Sequence, residues 1–228
     1  MTVLTWNESG KRQYEMGTNH AVLYPMDPTG KYVTGVAWNG LTKVTESPDG
    51  GKANDMYADN MKYASLRAAE TFGATIEAYT FPDEFIPCDG GDEVSEGVVF
   101  GQQNRSKFGF CYRTEIGTDA NQNAGHKLHL VYGATASPSQ KAYESINDSP
   151  DAMTFSWEIS TDPVAVEGHP ELKPVATITI DSTKVDANKL SDLEKKLYGD
   201  TTGTPTLPLP GEVYTMFQGS STVVPSGH

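Results

Sequence analysis

Residues 38–90 read WNGLTKVTESPDGGKANDMYADNMKYASLRAAETFGATIEAYTFPDEFIPCDG, and their reading decides the fold. Asn39-Gly40 is a strong hairpin dipeptide, because both residues tolerate positive φ. It closes a strand over Lys31–Trp38, where Tyr32, Thr34, Val36 and Trp38 alternate, and opens another over Leu41–Thr45. Glu46–Asp55 then reads as a loop, since Ser47, Pro48, Asp49, Gly50 and Gly51 all favour turns. Its ten residues are long for a hairpin connection, and long loops tend to have a task. Met56–Phe72 carries opposed signals. Tyr57, Met61, Ala64, Ala68 and Phe72 fall at helical spacing, with Asn54 as a possible cap and Gly73 as a stop. Yet Thr75–Thr80 is a clear strand that needs a neighbour, and the preceding segment is the nearest one. Pro82, Asp83 and Glu84 suit a helix N-terminus, and Pro87 and Asp89-Gly90-Gly91 keep that helix short.

Outward from this stretch, short strands dominate. Residues 1–30 surround apolar pieces such as Ala21-Val22-Leu23-Tyr24 with Asn, Gly and charges, and Pro25 and Pro28 break any helix. They read as an extended N-terminal arm with one short strand. Gly97–Gln102, Phe108–Thr114, Lys127–Ala136, Ala152–Ser160 and Val175–Ile180 read as further strands between turn-rich segments. Asp186–Tyr198 reads as a helix: Asp186 caps it, Leu190, Leu193 and Leu197 form its apolar stripe, and Gly199 ends it. Residues 200–228 read as an extended C-terminal segment, Pro/Thr-rich over Thr201–Gly211, with a last strand over Glu212–Phe217 and a loose tail. The pattern predicts one mainly β domain over residues 1–228, a β sandwich or barrel with one or two flanking α-helices.

The totals narrow the function classes. The net charge is −13 with a pI near 4.7, which argues against a protein that grips nucleic acid through a cationic face. From Ala68 to Asn104 there is no Lys or Arg, while Glu70, Glu77, Asp83, Glu84, Asp89, Asp92, Glu93 and Glu96 fall inside that window. This reads as a solvated acidic face, or as a surface past which a polyanion must slide. The mean hydropathy is −0.47, and no apolar run is long enough to cross a bilayer. MTVLTWNESG shows no basic region followed by an apolar one, so no secretory leader is expected there. Cys88 and Cys111 are too few for a disulfide framework and read as small buried hydrophobes.

Reactive chemistry finds no motif. There is no Gly-x-Ser-x-Gly elbow and no phosphate-binding glycine loop, since Gly50-Gly51-Lys52 reads as a turn. His126 and His129 make His-x-x-His, but three residues apart on a strand they face opposite sides. Asp89, Asp92, Glu93 and Glu96 offer oxygen ligands without the spacing of a calcium loop. Arg105, Lys107, Phe108, Phe110, Tyr112 and Arg113 interleave basic and aromatic residues, yet read better as a buried strand with charged flanks than as an RNA-binding one. No catalytic residue, cofactor site or metal site is expected, and an enzyme is not.

The phrases YADNMKY (57–63), TIEAYTFPDEF (75–85) and CDG (88–90) resemble the major tail proteins, or tail tube proteins, of long-tailed bacteriophages. VFGQQNRSKFGFCYRTEIG (99–117), HKLHLVYGATASPS (126–139) and SWEISTDPV (156–164) continue the likeness, which covers roughly residues 35–182. The resemblance implies a structural virion protein whose hexameric rings stack into a hollow tail tube. Sheets of neighbouring subunits would join into an inner wall, and DNA would pass through the lumen into the host without sequence-specific binding. It makes Lys62–Glu70 a strand, paired through Phe72-Gly73-Ala74 with Thr75–Thr80, and that is the expectation for this segment. It also implies a tape-measure protein, a tail terminator and baseplate or distal tail proteins as partners. The location would be the tail of the virion, after assembly in the host cytoplasm, with no membrane involved, and the likeness favours a tail without a contractile sheath. In this family a long loop reaches between rings; Glu46, Ser47, Pro48, Asp49, Gly50, Gly51 and Lys52 match it in place and character and are the expected inter-ring contact. The competing expectation is a carbohydrate- or cell-surface-binding sandwich, with Trp6, Trp38 and Trp157 and the 11 tyrosines as sources of sugar platforms.

Overall fold

The computed structural model describes residues 4–51, 53–67, 69–145, 151–201 and 203–218. Six strands come first: β1 (Gln13–Pro25), β2 (Val36–Ala37), β3 (Leu41–Glu46), β4 (Ala53–Ala58), β5 (Met61–Arg67) and β6 (Gly73–Ala78). A 3-10 turn over Asp83–Phe85 precedes β7 (Asp92–Ser95), β8 (Val98–Phe100), β9 (Phe108–Thr118) and β10 (Gly125–Ala136). After β11 (Phe155–Thr161) and β12 (Thr177–Asp181) come two helices, α1 (Ala187–Tyr198) and α2 (Pro210–Phe217). All the strand ladders are antiparallel, and the molecule is mainly β with flanking helices.

The main sheet runs β2-β1-β9-β10-β11-β6-β3, and β12 also pairs with β10. β10 therefore has two neighbours on one side. Lys127–Val131 pair with β12, and Ala134–Ala136 pair with β11. The switch falls at Gly133, which has φ 59 and where a Cβ would collide with the carbonyl oxygen of Asp162. Only glycine meets both conditions at low cost. Beyond this corner β11, β6 and β3 fold back over the sheet.

The centre of the sheet is covered on both faces. Ala21 and Leu23 of β1, Phe108, Phe110 and Tyr112 of β9, and Val131, Ala134 and Ala136 of β10 pack towards Ile76 of β6 and Trp157 and Ile159 of β11. The alternate residues Val22 and Tyr24, Cys111, and Leu128, Leu130 and Tyr132 face Leu190, Leu193 and Leu197 of α1 and Val213 of α2. Burial on both sides explains why FGFCY at 108–112 is apolar without alternation. Trp157 lies fully buried among Trp38, Phe81, Phe85 and Phe155, with ring centroids 5.2–5.9 Å away. On the helix side, the Tyr24 hydroxyl donates to the carbonyl of Leu197 (2.7 Å) and the Tyr132 hydroxyl to that of Pro208 (3.0 Å).

Several expectations need correction. The N-terminal arm holds not one short strand but the thirteen-residue β1, which pairs along β9 in the main sheet. Register shifts between Met16 and Thr18 and between Asn19 and Val22 interrupt it, and Gly17 and His20 take positive φ there. Each bulge resets the alternation that would betray a strand in the sequence. Lys31–Trp38 contributes only β2, where Gly35 lies against the ring of Tyr24. The partner of Thr75–Thr80 is not Lys62–Glu70: β6 lies between β3 and β11, and β5 pairs with β4. Glu212–Phe217 is helical, within α2, so the C-terminal segment is not extended throughout. Pro210 fixes its first turn, Glu212 favours its N-terminal dipole, and Val213, Met216 and Phe217 reach the core on one side. The tail over residues 219–228 lies outside the described residues.

Candidate assembly surface

The long loop is the stem of a projecting arm. The Ser47 amide donates to the Gly73 carbonyl (2.7 Å), and Asp49 and Thr71 exchange both backbone bonds. β4 and β5 continue this ladder outward, from Ala53 opposite Arg67 to Ala58 opposite Met61. Asp59 and Asn60 turn the chain with φ 51 and 60, the two positive angles that a two-residue hairpin turn of the I′ kind requires. Six residues of strand extend roughly 20 Å. Among the described residues, these two strands form a sheet of their own.

The expected contact residues sit at the root of this arm rather than at its tip. Glu46 ends β3, and its carboxylate accepts a 2.6 Å bond from the Tyr112 hydroxyl. Asp49 accepts from the Gly50 amide through its side chain, and Gly50 and Gly51 have φ 94 and 68. Pro48 lies between Ser47 and Asp49 on the same exposed stem. Lys52 lies outside the described residues. His129 stacks flat on Tyr112, with centroids 4.6 Å apart, and its Nδ1 lies 3.6 Å from Glu46. Its Nε2 is 3.1 Å from the Thr114 hydroxyl. Burial lowers the pKa of this imidazole, against the opposing pull of the Glu46 and Glu15 carboxylates. The ring is thus a wedge, its charged form disfavoured by burial, that ties the root of the arm to β9 and β10.

Register gives the arm two unlike faces. Asn54 and Leu66, Met56 and Ala64, and Ala58 and Met61 pair across one face. Arg67, Asp55, Ser65, Tyr57 and Lys62 share the other, where Lys62 is 2.8 Å from Asp55. Met56, Met61 and Leu66 are nonetheless exposed, as are Tyr57 and Tyr63 (71% and 77%). An apolar face with nothing beneath it is the mark of an interaction surface. β7 and β8 repeat the theme. They pair only with each other among the described residues, turn at Glu96-Gly97, and leave Val94, Val98, Val99 and Phe100 exposed. Acids surround this second hairpin: Asp92, Glu93 and Glu96 within it, and Asp83 and Glu84 on the neighbouring 3-10 turn.

No protein-family model matches the chain, and no curated protein does. The remaining candidates are placed by geometry alone. His126 and His129 do face opposite sides of β10, with His126 Nε2 2.9 Å from Glu194 on α1. Among the described residues, no three His, Cys, Asp or Glu side chains gather closely enough to hold a metal ion. Asp89 is tied up by Arg105 (3.5 Å) and Lys141 (2.5 Å). Cys88 and Cys111 are free and buried, in separate core clusters, and burial pushes each thiol up to about 12. Trp38 and Trp157 are core residues, whereas Trp6 is exposed, as are Tyr57, Tyr63, Tyr79 and Tyr143 among the tyrosines. None of the described helices is long and apolar enough to cross a membrane.

Open edges add to this surface. β1 pairs with β9 from Gln13 onward, but β2 covers only Val22 and Leu23 on its other side. The outer edge near Tyr14 and Met16 carries no second strand among the described residues, and both side chains are about two-fifths exposed. A row of unpaired amides and carbonyls is a template for strand addition. Sequence reasoning found the root of the arm but missed its hairpin and missed β7. Asp59-Asn60 between two β-prone segments was the available signal for the first, and Glu96-Gly97 for the second.

Proposed function

We propose that this chain is a structural subunit that assembles with copies of itself into stacked hexameric rings, the tail tube of a long-tailed phage. The carrying observation is the pair of hairpins that stand off a doubly covered sheet with Met56, Met61, Leu66, Val98 and Phe100 uncovered. The resemblance over residues 35–182 supplies the kind of assembly. A closed ring of this type needs a heterologous interface, in which two different patches of one subunit meet. Strand addition along the free edge of β1 is one source of such a contact. Work of this kind is done by surfaces and backbone pairing, not by a reactive group, and needs no cofactor.

The charge suits passage of DNA. A lumen with net negative charge repels a polyanion and keeps it from sticking. A tape-measure protein, a tail terminator and the distal tail proteins would set the length and close the two ends, in the host cytoplasm before release of the virion. The root residues Glu46–Gly51 would then orient the arm towards a neighbouring ring, and Lys52 follows them in sequence. Size-exclusion chromatography and negative-stain imaging of the purified chain test the reading. Rings or tubes are expected, directly or after concentration. A persistent monomer that binds a glycan array would instead favour the cell-surface module.

A further inference from the structure

We propose that residues 219–228 of this chain return along the groove between α2 and β12 and add a strand, through Thr222-Val223-Val224, to the open edge of β12. The groove holds about 740 Å³ and is lined chiefly by apolar side chains, among them Val166, Val175, Ile178, Val213 and Phe217. Along one wall the backbone is unfinished. The Tyr132 amide donates to the Ala176 carbonyl (2.9 Å) and the Ser182 amide to the His126 carbonyl (2.9 Å), so the even-numbered residues of β12 face β10. By alternation, the amides and carbonyls of Thr177 and Thr179 face away from it. Val164 takes up both backbone groups of Val175, just before them, and there the outer ladder stops. Thr177 and Thr179 find no outer partner among the described residues, and Thr179 lines the groove. Edge groups of this kind are a template for one more strand.

What fills the groove follows from its chemistry and from where the chain leads. A small-molecule site sets a few polar side chains against its ligand. Among the described residues of this lining, Asp181 alone is charged. Its carboxylate already accepts from the Thr183 amide and hydroxyl and pairs with Lys184 (3.1 Å). The open valences are those of backbone, which a peptide strand satisfies. Gln218, the last described residue, lines the same groove. Beyond it Gly219-Ser220-Ser221 is a link of roughly 10 Å, and Thr222-Val223-Val224 are three β-branched residues. Pro225, which lacks an amide, would end the pairing. Residues 219–227 carry no charged side chain that an apolar groove would reject. So short a tether gives this segment an effective concentration that the same segment of another copy cannot match.

Amide hydrogen exchange, read residue by residue on the full chain, tests the pairing. The Thr177 and Thr179 amides should be protected in the parent. Val223→Asp with Val224→Asp should speed their exchange at least about tenfold, while the Ile178 and Ile180 amides, bonded to β10, stay as they were. A chain ending at Gln218 should match the double variant, and its unfolding midpoint establishes that the rest of the fold is kept. Fast exchange at both threonines in the parent overturns the inference, as does protection that the two aspartates leave unchanged. Protection that rises with protein concentration gives the groove to a second copy and overturns it too. None of these readings needs a ring or a tube to form, so the proposal stands or falls apart from the assembly reading.

Discussion

The central strands and the projecting arm are built from similar letters. FGFCYRT at 108–114 and MKYASLR at 61–67 both mix aromatic, small and cationic residues, and both are strands. Their causes differ. β9 is a strand because two layers cover it, so that Phe108, Phe110, Cys111 and Tyr112 are all buried. β5 is a strand because Asp59-Asn60 turns the chain and β4 lies alongside. An isolated two-stranded hairpin is at best marginally stable in water, whereas a covered one shares the stability of its partners. One region of this molecule is therefore covered within a single chain, and the other leaves its apolar face exposed among the described residues.

The sharpest way to break that contrast is to remove the centre. Trp157→Ala should cost about 3–5 kcal/mol, because the ring is fully buried among four aromatic neighbours that cannot all collapse into the space. Denaturant unfolding followed by far-UV circular dichroism measures it. A loss under about 1 kcal/mol would mean that this side of the sheet is not packed as described. Leu193→Ala tests the other face. Leu193 is fully buried between α1 and the sheet, and its truncation should cost about 2–5 kcal/mol. Comparable losses on both faces would establish that the sheet depends on its helices as much as on β6 and β11.

This contrast also explains what could be read in advance. The helix over residues 186–198 was legible because its cap, stripe and stop lie within fourteen consecutive residues, Asp186 through Gly199. The mainly β class was legible from short apolar runs divided by turn residues. The order of strands was not, because β3 pairs with β6 across the whole arm, and sequence proximity suggested β5 instead. Glu212–Phe217 has strand-like composition, yet the core demands helical spacing there, and tertiary packing outweighs a propensity of this size. At the candidate surface, the turn residues from Ser47 to Gly51 marked where the arm leaves the sheet. They hid its length, since the spacing of Tyr57, Met61 and Ala64 imitates a helix when no core is present to choose a period.

Smaller effects sharpen the boundary. Asp186 accepts from the amides of Asn188 and Lys189, so Asp186→Ala should cost about 1 kcal/mol, read as a lower unfolding midpoint. His129 gives a pH signature. Its folded pKa is depressed from 6.5 chiefly by burial, against the pull of Glu46 and Glu15 and with that of Lys127. The unfolded chain therefore takes up a proton at a higher pH than the folded one. The associated stability is present above pH 6.5 and is lost as pH falls through the folded pKa. His129→Gln should flatten the difference in unfolding midpoint between pH 7 and more acidic buffers; an unchanged slope would place the titrating group elsewhere.

The smallest expected effect is the most telling about the arm. Replacing Met56, Met61 and Leu66 together by serine removes three large apolar side chains, which in a core would unfold the protein. Here all three are exposed, and the arm pairs only within itself among the described residues. The stability of the monomer should stay within about 0.5 kcal/mol per site, and serine should raise solubility. Self-assembly, in contrast, should collapse, because the lost area is the area that a neighbour would cover. Loss of monomer stability on the core scale would mean that the arm folds back on its own chain. An unchanged threshold for assembly, with an unchanged monomer, would return these residues to ordinary solvent-facing side chains and leave the edge of β1 as the place where copies join.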